Sequence, residues 1–108
     1  MIRTNGHEMI VSRGDTASVT MNFSGDVPED GTTAVITLKK STRAQANVWE
    51  KRLTVEDGAV VMELENEDTD LEPGTYMWDV RLLMDGGKVY TPIRPAPFTV
   101  LEVVGSAE

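Results

Sequence analysis

A chain of 108 residues fits one domain, 1–108, with an ordered core expected over about 8–104 and no room for a second core. It has no cysteine and a single histidine, His7, near the start, so disulfides, thiolate metal sites, cysteine nucleophiles and multi-histidine centres are excluded. Ten basic against 18 acidic residues give a formal charge of −8, a surface that phosphate backbones repel, so no nucleic-acid partner is expected.

In chain order, the opening MIRTNGHEMIV carries Arg3 but no apolar h-region, and no 18-residue apolar run follows, so neither a signal peptide nor a membrane span is expected. A short strand is predicted over Glu8 to Val11, broken by Gly14-Asp15. From Thr16 to Phe23 the pattern alternates, with Ala17, Val19, Met21 and Phe23 on one side and Thr16, Ser18, Thr20 and Asn22 on the other. A period of two marks a sheet with one wet face. Gly25 to Gly31, with Pro28 between acids, reads as a loop.

Thr33 to Lys39 is the next strand, with Ala34, Ile36 and Leu38 inward and Thr33, Val35, Thr37 and Lys39 outward. Lys40 to Asn47 loses the alternation and is assigned to a loop. Val48 to Val55 resumes it, with Trp49, Leu53 and Val55 on the core side and Lys51 between them. Asp57-Gly58 is a hairpin turn signal leading into Ala59 to Glu65, where Val60, Met62 and Leu64 point inward. Asn66 to Gly74 is acidic, ends in the turn dipeptide Pro73-Gly74, and has room for a single helical turn started by Asp68 or Asp70.

Thr75 to Met84 carries Tyr76, Trp78, Val80, Leu82 and Met84 on one face. Asp85-Gly86-Gly87 forms a second hairpin turn into Lys88 to Ile93. Pro92, Pro95 and Pro97 confine the passage that follows to an edge or a crossover, and Phe98 to Val104 is the last strand. The runs total seven or eight strands with no long helix, so the fold class is all-β, an antiparallel immunoglobulin-like β-sandwich, with a partly open barrel as the alternative.

No catalytic or cofactor site is legible, and no enzyme activity is expected: neither a glycine-rich phosphate loop nor a Gly-x-Ser-x-Gly elbow occurs. The acidic stretch Glu56 to Glu72 includes Asp68-Thr69-Asp70-Leu71-Glu72, whose alternation resembles a calcium loop. Pro73 stands where such a loop needs glycine, so the stretch is expected to be a solvated acidic turn that holds no metal. Paired carboxylates for glycoside hydrolysis find no marked cleft. Arg13-Gly14-Asp15 is assigned to a turn rather than to adhesion, and the sequon Asn22-Phe23-Ser24 carries no weight without a secretion signal.

Lys39, Lys40, Arg43, Lys51 and Arg52 cluster beside Trp49, which the strand phase puts in the core. Lys39, Lys40, Lys51 and Arg52 are the candidate contacts to a protein partner, meeting an acidic surface such as 56–72 on a neighbour or on another copy, in a possible homo-oligomer. Tyr76 and Trp78 would suit sugar stacking if exposed, but they share the phase of Val80 and Leu82 and are predicted to be core.

Gly14-Asp15-Thr16, then Asp68-Thr69, Leu71, Pro73-Gly74, Tyr76, Trp78 and Val80, then Asp85-Gly86, Val89 and Thr91, then Phe98 and Val100 together resemble the N-terminal domain of the phage baseplate upper protein family. The family belongs to tailed phages of Gram-positive bacteria and their prophages, and the resemblance covers about residues 8 to 104. It implies an immunoglobulin-like domain that attaches a host-adhesion device to the virion, made in the host cytoplasm, with other tail or baseplate proteins as partners and no catalytic residues. The chain stops where the family continues into helical and receptor-binding parts, so attachment or assembly is the expected role. The alternatives are a carbohydrate- or receptor-binding module and an extracellular adhesion domain separated from its signal.

Overall fold

The computed structural model describes residues 2–5, 8–23, 31–84 and 87–104, with the backbone alone at 2–5 and 92–94. His7, most of the loop from Gly25 to Gly31, and Asp85-Gly86 lie outside the described residues. Among the described residues there are eight strands: β1 (Ile2–Asn5), β2 (Glu8–Ser12), β3 (Ala17–Asn22), β4 (Thr33–Lys39), β5 (Trp49–Thr54), β6 (Ala59–Leu64), β7 (Gly74–Leu83) and β8 (Val89–Leu101). The helix α1 (Asn66–Thr69) is one turn long. The fold is all-β.

Six strands form one sheet in the order β1-β2-β8-β7-β4-β5, and β3 and β6 form a second. The larger sheet is mixed, which corrects the expectation of wholly antiparallel pairing: β2 runs parallel to β8, with Met9 opposite Phe98 and Val11 opposite Val100. Alternation records which residues face the core, not the direction of a neighbour, and no hairpin ties these two distant strands. The chain start also contributes more than a frayed end, because Ile2–Asn5 pairs antiparallel with Glu8–Val11.

One cluster of buried residues joins the inward sides of both sheets, including Met21, Val60, Met62 and Leu64 from the small sheet and Ile36, Leu38, Trp78, Val80 and Phe98 from the large one. Burial of each of the larger aliphatic and aromatic side chains contributes about 1.5–3 kcal/mol. Val35, expected outward, is 7% exposed. It lies opposite Arg52 on β5 and Arg81 on β7, in the middle of a strand flanked on both sides.

The Asp57-Gly58 turn forms with both residues at positive φ, 51° and 72°, as a two-residue type I′ connection requires. Reciprocal bonds between Glu56 and Ala59, 2.9 and 3.0 Å, close it. The hairpin goes no further. β5 pairs with β4 while β6 pairs with β3, so the turn carries the chain from one sheet to the other. The two-strand hairpin expected there is corrected: backbone chemistry closes the turn, but core burial parts its arms.

The second expected hairpin does form, as β7 and β8, closed by Met84 N–H donating to Lys88 O at 2.8 Å. β8 is one continuous strand, not two runs separated by a proline interruption, and it ends at Leu101. Between the pairs Trp78–Ala96, Val80–Ile93 and Leu82–Tyr90, β8 twice uses three residues where β7 uses two. These bulges fall beside Pro92 and Pro95, and β2 joins the other side of β8 only from Phe98 onward. Pro92 and Pro95 therefore occupy a stretch with a ladder on one side only among the described residues, the edge setting that tolerates proline.

Candidate partner-binding surface

The outer face of β5, β4 and β7 is set by register. Thr33, Val35, Thr37 and Lys39 of β4 lie across from Thr54, Arg52 and Glu50 of β5 and from Leu83, Arg81, Asp79 and Met77 of β7. Lys39, Arg52 and Arg81 thus share one face, and exposed Lys40 and Arg43 follow where β4 ends. Arg52 Nε is 3.2 Å from Glu50 Oε2, an exposed pair of small energetic weight.

Asp79 sits half-buried on this face beside a cleft of about 90 Å³ that Thr37, Lys39, Ser41, Thr42, Met77 and Pro95 help to line. Burial pushes its carboxyl above the usual range, and the positive charges of Arg81 and Lys39 oppose the shift.

Lys51 is elsewhere. It pairs with Ile36 in register and therefore faces the inner side with Trp49 and Leu53. Its Nζ lies 2.9 Å from Asp68 Oδ2, with the two side chains only 22% and 16% exposed, and 5.5 Å from the centre of the Trp49 ring. Trp49 Nε1 donates to the Asp68 carbonyl at 3.1 Å, and the ring meets Phe98 edge-on at 6.1 Å. Asp68 Oδ2 also accepts the Glu65 N–H at 2.9 Å, capping the start of α1. Together these contacts tie β5 to α1. Of the four expected contact residues, Lys39, Lys40 and Arg52 share the outer face or its margin, and Lys51 does not. The signal was present in the sequence, since Lys51 shares the phase of Trp49 and Leu53 and needed an acid to bury against. Trp49, expected in the core, is half-buried at its margin because its indole N–H needs the Asp68 carbonyl.

Nor is the acidic segment a single free surface. Asp68 holds Lys51, while Asp70 Oδ1 lies 3.0 Å from Arg13 Nε. Glu102 approaches Arg13 at 3.6 Å. The guanidinium's own pKa is raised, first by its hydrogen bond to Asp70. Thr69 between them is buried and donates to the Asp15 carbonyl at 2.7 Å. Arg13-Gly14-Asp15 is the turn expected, with Gly14 at φ 82°. Around it lies an open, polar hollow of about 450 Å³ lined by Arg13, Gly14, Asn66, Glu67, Asp70, Glu102 and Val103. Among the described residues no group of three or more His, Asp or Glu side chains is arranged to hold a metal ion.

Tyr76 and Trp78 are buried, 7% and 3% exposed, so neither offers a sugar-stacking platform. The Tyr76 hydroxyl donates to the Glu72 carbonyl at 2.8 Å across the bend into β7. Burial, then the Glu72 charge, raise its pKa above the ordinary phenol value.

The chain is thus all-β, with Lys39, Arg52 and Arg81 on one face of its larger sheet beside Glu50 and Asp79. No helix among the described residues is long and apolar enough to cross a membrane. No protein-family model matches the chain, and no curated protein matches it in sequence.

Proposed function

We propose that this chain is a non-enzymatic structural module of a phage virion, in the tail, baseplate or neck, that attaches to other tail proteins through an immunoglobulin-like sandwich. The fold reading draws support from strand order: β3 pairs with β6, while β7 lies between β4 and β8, matching the B–E and C–F–G pairings of that fold. Tyr76 adds to it. Two residues before Trp78, which stands where the second antibody cysteine would, it bonds back to Glu72 in the manner of a tyrosine corner.

The observation that carries the docking role is the placing of Lys39, Arg52 and Arg81 on one sheet face, with Lys40 at the margin, where they outnumber the acids Glu50 and Asp79 on a chain with net charge −8. A local positive excess on an acidic molecule favours an acidic partner surface and orients it. Lys51 is left out of the docking set because it faces the inner side, where Asp68 holds it.

The test uses particles. The chain should be detected by mass spectrometry and antibody labelling in purified virions of a phage that encodes it. Reversing Lys39, Lys40 and Arg52 to glutamate should leave the domain folded and remove it from the particles. Detection only in the soluble lysate, with particles complete without it, overturns the proposal.

A further inference from the structure

β3 is the one strand of the eight that carries no charged residue: Ala17, Ser18, Val19, Thr20, Met21 and Asn22. It is also an edge, since among the described residues its only ladder is with β6. Edge strands are where soluble proteins place charges, prolines and bulges to prevent unwanted pairing. The other edges here follow that rule. β5 displays Glu50 and Arg52, β6 carries Glu63, and the one-sided stretch of β8 holds Pro92, Pro95 and the two bulges. In β3 the six pairs with β6 run without a register shift.

The bonding phase is also fixed. Phe23 N–H donates to Gly58 O at 2.8 Å, in register with the β3–β6 ladder. Alternate residues Met21, Val19 and Ala17 therefore turn their backbone groups toward β6. Ser18, Thr20 and Asn22 turn theirs to the free side, with exposed side chains on the outer face.

We infer that β3 is a homodimer seam, pairing antiparallel with β3 of a second copy about a two-fold axis at Thr20. About that axis Ser18 faces Asn22, Thr20 faces Thr20, and each facing pair exchanges two backbone hydrogen bonds. The strand is self-complementary in the way an isologous contact requires. Threonine opposite threonine is a favourable cross-strand pair, and no like charges meet on the strand although each copy carries −8. A two-stranded sheet is marginal by itself, and the seam makes it a continuous four-stranded sheet across the copies. The seam lies on the opposite sheet from Lys39 and Arg52, so it stands independently of the docking role proposed above.

Sedimentation across a concentration series should give a doubled mass for the native chain. Thr20→Lys places two ammonium groups face to face and should leave only monomer, with an unchanged circular dichroism spectrum. Thr20→Pro should do the same, because the N–H it removes points away from β6. The protein has no native cysteine, so a single introduced thiol reports its own contact. Thr20→Cys should form an interchain disulfide on oxidation, since residues facing each other in a bonded antiparallel pair lie about 5.5 Å apart at Cα. Gln45→Cys, exposed in the loop before β5, should not. Reversal of Lys39, Lys40 and Arg52 should leave the dimer intact. A native chain that stays monomeric throughout, a Thr20→Lys dimer as strong as the native one, or crosslinking through Val61→Cys on β6 in place of Thr20→Cys overturns the seam.

Discussion

Lys51 decides between docking and stability, and a double-mutant cycle with Asp68 separates the two. Lys51→Met keeps the aliphatic stem and removes the charge, and Asp68→Asn keeps an acceptor for the Glu65 N–H. Exposed ion pairs contribute about 0.2–1 kcal/mol, whereas removing one partner of a fully buried pair costs about 3–5 kcal/mol. At 22% and 16% exposure, with Nζ also 5.5 Å from the Trp49 ring, this pair falls between those limits. Lys51→Met should cost about 1–2 kcal/mol, including roughly 0.5–1 for the lost cation–π contact. The coupling to Asp68 should be about 1 kcal/mol. Urea unfolding reads both values as shifts of the midpoint at constant m, and each kcal/mol lowers Tm by about 4 °C or a little more in a domain of this size. Lys39→Glu and Lys40→Glu should stay within about 0.5 kcal/mol of the parent. A coupling below about 0.2 kcal/mol, or equal costs at Lys39 and Lys51, would refute the assignment of Lys51 to the β5–α1 tie.

Trp78→Ala should cost about 3–5 kcal/mol, a large part of the stability of a small domain, because the side chain is 3% exposed; a chemical melt indistinguishable from the parent's would contradict its place in the core. Gly58→Ala should cost about 1–2 kcal/mol in a thermal melt, since φ of 72° is left-handed, and a neutral result would mean the turn relaxes to another type. Asp79 titrates above the ordinary carboxylate range in the folded protein, so the folded state holds that proton more tightly than the unfolded chain. That stability is full below the ordinary range and is lost as pH rises through the folded value. Asp79→Asn should therefore be at least as stable as the parent at neutral pH, with the two converging in acid. Loss of stability at neutral pH would show that attraction to Lys39 and Arg81 outweighs the cost of burial.

Most strand positions and their inward faces were legible because burial leaves a period of two. β4 spans Thr33–Lys39 as read, and Val60, Met62 and Leu64 of β6 are buried as read. The helical turn after β6 was legible from its acids, although Glu65, not an aspartate, occupies the N-cap and Asp68 caps from within the turn. Val35 escaped because β4 lies between β5 and β7, with a neighbour on each side of Val35, and alternation along β4 does not encode that position. The candidate site was half legible. The cations were visible, but which of them were already committed to acids was not. Arg13 finds Asp70, 57 residues away in the chain, and Lys51 finds Asp68 on the far side of β6.

By itself the sequence determined local quantities: which side of each strand is apolar, where φ must turn positive, where a proline removes a donor, and what chemistry the residue inventory rules out. Each depends on a few neighbouring residues and on elementary backbone sterics. Tertiary structure alone decided the parallel β2–β8 pair, the parting of the Asp57-Gly58 hairpin into two sheets, and the place of β3 at a sheet edge among the described residues. Those are contacts between segments far apart in the chain. They are chosen by the whole core closing at once, and no local pattern carries the identity of a distant partner.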